Sequence, residues 1–206
     1  MSLKRENPDR LSISRFKLDA LLDITLSINA NLPTGELLLK YDSILRNNLG
    51  IGKILIFKHS GSWECLFNAG FPEKLEKETD VETQLLKFTD TTFPNEEIGI
   101  EGADIIIPVH NNNIPLAFIL IGDIEEEGRG VSPVIKHLHF IQTISSIIIV
   151  AIENIRLSKE RFRQEALKKE LELAVRMQQK LIPENRIMPH TDNLVVYGFY
   201  YPHYEV

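Results

Sequence analysis

The stretch from Lys169 to Pro183, KELELAVRMQQKLIP, constrains this chain more than any other. Its spacing predicts a helix. Leu167, Leu171, Ala174, Val175, Met177, Leu181 and Ile182 fall in one wide apolar arc, with Gln178 inside it. Lys168, Lys169, Glu172, Arg176, Gln179 and Lys180 fill the opposite arc. Glu165 with Lys169, and Glu172 with Arg176, place an acid one turn before a base, which favours an exposed helical face. Pro183 lacks an amide hydrogen and clashes with the preceding turn, so the helix stops or kinks there. Upstream, no break signal occurs back to Ser132-Pro133, a cap followed by proline at the first helical position. About 50 residues at 1.5 Å each make roughly 75 Å, far longer than a globular-domain helix. Its first half is apolar nearly all round at Ile144 to Ile152. Its middle, Glu153 to Lys169, is polar, with Ile155, Phe162 and Ala166 as a thin stripe. That stripe is a coiled-coil seam rather than a core face. Its phase shifts near Ala166-Leu167, where the helix is expected to be overwound or interrupted. A polar helix of this length is not stable alone in water, and a second copy of the chain is the simplest partner.

Charge and cysteine usage narrow the function classes. The net charge of −6 gives no electrostatic case for nucleic acid, which needs a basic surface. The mild basic cluster from Lys159 to Lys169 alternates with glutamate, as a solvated helix face does. Cys65 is the one cysteine, so neither an intrachain disulfide nor a metal site of paired cysteines is available, and a reducing compartment is expected. The longest apolar run, Ile144 to Ile152, is well short of the roughly 20 residues of a membrane span. The first ten residues, MSLKRENPDR, lack the apolar core of a signal peptide and read as a disordered, tag-like terminus. A cytoplasmic protein without membrane or nucleic-acid partners follows as the expectation.

Between that terminus and the long helix, residues 11 to 30 carry a helical apolar pattern closed by Asn29, Asn31 and Pro33. Thr34 is expected to cap a second helix to Asn48, burying Leu37, Leu38, Tyr41, Ile44, Leu45 and Leu49. Gly50 and Gly52 end it. Lys53 to His59 and Ser62 to Ala69 make a hairpin across Ser60-Gly61. Trp63, Cys65 and Phe67 alternate with Glu64, Leu66 and Asn68, which puts the first three on one face. Residues 73 to 102 are irregular, with a short helix expected over Val81 to Phe88; such segments often form lids or binding loops. Asp104 to His110 and Ile114 to Gly122 form a second hairpin over Asn111-Asn112-Asn113. Both its strands are apolar almost throughout, as strands covered on both faces are.

The order helix, helix, hairpin, variable segment, hairpin, long helix, with the phrase ADIIIPVHNNNIPLAFILIGD, resembles a GAF domain over about Leu11 to Leu157. PAS domains are the nearest competitor, but they usually lack the two-helix lead-in. The resemblance implies an α+β fold: a GAF-like antiparallel sheet with flanking helices, followed here by a long C-terminal coiled-coil helix. A second resemblance rests on ELELAVRMQQKLIP and YGFYYPHYEV. These are similar to the entry of SpoIIE-type metal-dependent serine/threonine phosphatase domains: a helix ending QxxL(L/I)P, a first strand, Tyr-x-Pro, then Gly-Gly-Asp. Gln178, Leu181, Ile182 and Pro183 fill the helix ending, and Tyr200-Tyr201-Pro202 the tyrosine motif. The family's metal-binding aspartates lie in and after the Gly-Gly-Asp, which this sequence does not contain. The chain is therefore expected to be non-catalytic with no cofactor of its own, while the longer enzyme that the resemblance implies would use Mg or Mn and act on a phosphoprotein. The expected division is residues 11–152 sensor, 153–183 linker helix and 184–206 the opening of the phosphatase domain.

Other candidate chemistry reads blandly. Glu160, Glu165, Glu170 and Glu172 suit a solvated helix face better than a catalytic pair, which needs a shared cleft. His137 and His139 have the wrong spacing for metal ligation from one helix. Cys65 reads as a small hydrophobe before a redox or tetrapyrrole attachment site. In ligand-binding GAF domains the cavity lies between the sheet and the variable segment, which maps to Phe57, Trp63, Cys65, Phe67, Phe88 and Phe93; the same side chains equally suit a filled core. Leu171, Ala174, Met177, Gln178 and Leu181 are the expected coupling surface of the long helix, with Gln178 setting register.

Overall fold

The computed structural model describes residues 8–94, 100–124, 133–181 and 190–198. Expectations for Ser132, Ile182, Pro183, the tyrosine motif and the tag-like terminus lie mostly or wholly outside them. The chain divides into two compact units, Met1–Ile155 and Arg156–Val206.

In the first unit, α1 (Pro8–Asn29) and α2 (Thr34–Leu49) lead into β1 (Ile51–His59) and β2 (Trp63–Ala69). Two short helices, α3 (Glu73–Glu78) and α4 (Val81–Gln84), precede β3 (Ile105–Asn111) and β4 (Ile114–Ile124). The strands form one antiparallel sheet in the order β2-β1-β4-β3. Helix α2 buries the six residues its spacing predicts. Its N-cap is Pro33 rather than Thr34: the proline carbonyl accepts from the amides of Glu36 and Leu37, and Thr34 is already helical. The β3–β4 turn is carried by Asn112 and Asn113, both at positive φ, which asparagine tolerates better than most residues.

The sheet is covered on both faces, as the apolar runs of β3 and β4 require. On one face, Ile54, Ile56, Ile105, Ile107, Ile119 and Ile121 pack against α1, α2 and α5 (Pro133–Leu181). On the other, Leu55, Phe57, Ile106, Phe118 and Leu120 pack against Phe71, Val81, Leu85 and Phe88. Alternation along β1 divides its side chains between these two cores. The expected helix over Val81 to Phe88 stops at Gln84, and α3 forms where none is expected.

Helix α5 is one element to Leu181, with no break at Ala166-Leu167. By length and composition, His137–Leu181 suffices to cross a membrane, which the short isoleucine run does not reveal. Its apolar side chains from Phe140 to Ile152 instead close the sheet's core, so a membrane position would strip that face bare. In the second unit, β5 (His190–Thr191) pairs with β6 (Leu194–Val195), so of the strand expected from Leu194 only two residues are strand among those described.

Candidate functional site

Strand β1 directs Phe57 away from the α1–α2–α5 layer, and β2 brings Cys65 opposite it. Trp63 shares that face, its ring 5.4 Å from Phe118 and 5.1 Å from His59. With Ser62 and Glu64 these residues form one wall of a cleft of ≈ 380 Å³. Glu76 and Lys77 of α3, Thr79, Asp80, and Val81 and Glu82 of α4 form the other.

Three of the six sequence candidates, Phe57, Trp63 and Cys65, therefore meet at one place. Phe67 does not join them. Ile56 pairs with Phe67 but Phe57 pairs with Cys65, so Leu66 is an extra residue in β2. A bulge of one residue inverts the facing of everything beyond it, and Phe67 packs against the other core. Phe88 is buried in the outer core without lining the cleft, and Phe93 is 51% exposed.

The carboxylates of the cleft were not legible as a group. Glu76 accepts from Asn68 Nδ2 at 2.9 Å. Asp80 accepts from the Glu82 amide at 3.0 Å and from Thr83 Oγ1 at 2.8 Å, which starts α4. The signal for α3 is present in EKLEKE after Pro72: Glu73–Lys77 and Lys74–Glu78 are pairs one turn apart. Burial pushes the Cys65 thiol up to about 11, and the charge and hydrogen bond of Glu76 push the same way. A thiol held neutral is a poor nucleophile, which favours the bland reading of Cys65, although it is half-buried rather than buried. Among the described residues, no group of three or more His, Cys, Asp or Glu is placed to hold a metal ion.

The coupling candidates Leu171, Ala174, Met177, Gln178 and Leu181 all lie on exposed surface of α5 in the second unit. Leu157, Phe162, Leu167 and Leu173 are exposed on the same helix.

Two buried polar contacts join α5 to the rest of the first unit, and the sequence reading missed both. Lys58 ends the inward row of β1 after Ile54 and Ile56, a place that alternation reserves for an apolar residue, and it is 2% exposed. Its ammonium donates to Glu153 Oε2 at 2.6 Å, Ser60 Oγ at 3.1 Å and the His59 carbonyl at 3.2 Å. Tyr41 Oη and Ser145 Oγ share a hydrogen bond of 2.6 Å. Burial raises the Tyr41 phenol well beyond its ordinary range, and the Ser145 bond offsets part of this.

No protein-family model matches the chain, and no curated protein matches it either. Solved structures do resemble it. The GAF domain of a protein described as a sensor histidine kinase, from Pseudomonas syringae pv. tomato, has 14% identity and a TM-score of 0.53, over 77% of this chain and 99% of that one. The GAF domain of a phosphoenolpyruvate-protein phosphotransferase from Coxiella burnetii has 15% identity and a TM-score of 0.51, over 71% and 98%. At such identities the likeness speaks for architecture alone: the described residues have a GAF-like fold, a four-stranded antiparallel sheet between helical layers with a long C-terminal helix.

Proposed function

We propose that this chain is the regulatory part of a SpoIIE-type protein phosphatase: a dimeric GAF sensor that passes a signal along α5 to a catalytic domain beyond Val206. The observation that carries the reading is the change in α5. From Phe140 to Ile152 most of its apolar side chains are buried; from Leu157 to Leu181 its large apolar side chains are exposed. Exposed apolar surface of that extent marks an interaction site. A second copy of α5 and the catalytic domain are its proposed occupants. The helix ending and tyrosine motif support the phosphatase assignment.

The proposed mechanism is a helix with two packings. A change in the sensor shifts α5, and Leu171, Ala174, Met177 and Leu181 then dock or release the catalytic domain, with Gln178 fixing register. Residues 11–152 sense, 153–183 transmit and 184–206 open the phosphatase domain. Mg or Mn binding and the phosphoprotein substrate belong, in this proposal, to the catalytic domain that the SpoIIE-type resemblance implies. A cytoplasmic location belongs to the same proposal.

The test uses the longer enzyme. Leu171→Ala with Leu181→Ala should leave an enzyme whose activity no longer follows the sensor. Unchanged regulation overturns the reading, as does a coding sequence after Val206 without Gly-Gly-Asp and further aspartates.

The cleft favours a second reading, a small-molecule-binding GAF protein whose helix serves only for dimerisation. Its volume of ≈ 380 Å³ falls within the range of small-ligand sites. A large thermal shift with one nucleotide or metabolite, lost in Trp63→Ala, favours this reading. No shift across such a panel counts against it.

A further inference from the structure

Helix α5 meets the first unit through two rows of side chains, each stepping one turn at a time. One row is Phe140, Ile144, Ile148 and Ile152; the other is Ile141, Ser145, Ile149 and Glu153. All eight are buried. The first row nearly repeats itself under a slip of four residues, about 6 Å, because isoleucine replaces isoleucine. Apolar contact therefore separates the two registers weakly.

The second row removes the degeneracy. In the observed register Ser145 meets Tyr41 and Glu153 meets Lys58. A slip of one turn either way would set Lys58 against Ile149 or Leu157, and the Tyr41 hydroxyl against Ile141 or Ile149. Lys58 would keep Ser60 and the His59 carbonyl but lose its counter-ion, and a buried ammonium without a counter-charge, like a buried hydroxyl without a partner, is strongly disfavoured. A buried ion pair adds little stability over apolar side chains of similar size, and its best-attested use is to specify register.

We propose that Tyr41–Ser145 and Lys58–Glu153 set the axial register of α5, and that Lys58 gives this choice to the hairpin that walls the cleft. Lys58, Ser60 and Ser62 lie just before Trp63 in one hairpin, so a ligand or partner that displaces the hairpin displaces the Lys58 ammonium. The output is a one-turn ratchet of α5, a known kind of switching step. Its bearing on signalling rests on the sensor reading above; the register itself does not.

Isoleucine-methyl spectra of the full chain test it. Lys58→Met/Glu153→Met should fold with a thermal midpoint at or above the parent's. It should show two sets of resonances for Ile144, Ile148 and Ile152, the minor one at about a tenth of the intensity. One sharp set with the parent's contacts to the sheet overturns the proposal. Should that variant fail to fold, Glu153→Gln and Glu153→Leu decide: glutamine keeps an acceptor and one set, leucine gives two, and identical spectra overturn the proposal. A failure here leaves the phosphatase reading intact, and loss of that reading leaves the methyl result unaffected.

Discussion

At the scale of single residues, Cys65 and Gly122 make opposite demands on their surroundings. Cys65 is half-buried beside Glu76, and its thiol is raised to about 11 against an ordinary 9.0. Its thiolate fraction at pH 7.5 should be roughly a hundredth of a free cysteine's, so alkylation should be slow by about that factor. Glu76→Gln removes the negative charge, lowers the thiol's affinity for its proton, and should speed alkylation; a rate unchanged by it would remove Glu76 as a cause. The sign for stability follows. The fold favours the neutral thiol, so this contribution is present below the ordinary thiol range and is lost as pH rises toward 11. Gly122 has the reverse problem, since a Cβ there would run into the carbonyl oxygen of Gly102 and stand 3.1 Å from Phe71 Cζ. Backbone cannot step aside as a flexible side chain can. Gly122→Ala should cost about 1–3 kcal/mol, read as a lower urea midpoint at unchanged slope.

At the scale of elements, α5 should respond differently along its length. Ile148 is fully buried between the sheet and the helical layer, and Ile148→Ala should lower stability by about 2–5 kcal/mol in urea unfolding. Leu171→Ala, at an exposed position, should leave that transition within about 0.5 kcal/mol and, on the proposed pairing through α5, shift sedimentation equilibrium toward the monomer. Equal effects of the two on unfolding would contradict the division. The elements most legible in advance are those whose pattern has one physical cause. The buried side of α2 follows from helical spacing alone, and the double covering of β3 and β4 follows from apolar runs too long for a half-exposed strand. The cleft was half legible. Trp63 and Cys65 precede the bulge at Leu66 and keep their facing, whereas Phe67 follows it and does not. A bulge is decided by how two strands pair, and nothing in WECLFNA announces it. The wall opposite was hidden because EKLEKE is short and polar, so its charged pairs look like any surface turn. Lys58 was hidden for a different reason: a lysine at the end of a strand normally reaches water, and the counter-charge that holds this one inside, Glu153, is distant in sequence.

At the scale of the whole molecule, the proposed pairing of two copies can be assigned to one unit or the other by experiment. The described buried residues all lie between Ala20 and Glu153, so the core that folds the first unit is complete before Arg156. A chain ended after Ile155 should therefore unfold cooperatively in urea, with a midpoint close to that of the parent. It loses the exposed side chains Phe162, Leu167, Leu171, Leu173, Met177 and Leu181 together. If these form the seam between two copies, light scattering should give a dimer for the parent and a monomer for the shortened chain. The first unit offers a rival surface, since Leu18, Leu22 and Leu26 follow one another at single turns along α1 and are more than half exposed. A shortened chain that remains dimeric would move the interface to that stripe, and Leu22→Glu would then separate the copies where Leu171→Ala does not. A monomer that keeps the parent's urea midpoint assigns the folded core and the proposed pairing to different parts of the chain. That separation is what a helix needs if its register in the first unit is to alter its packing in the second.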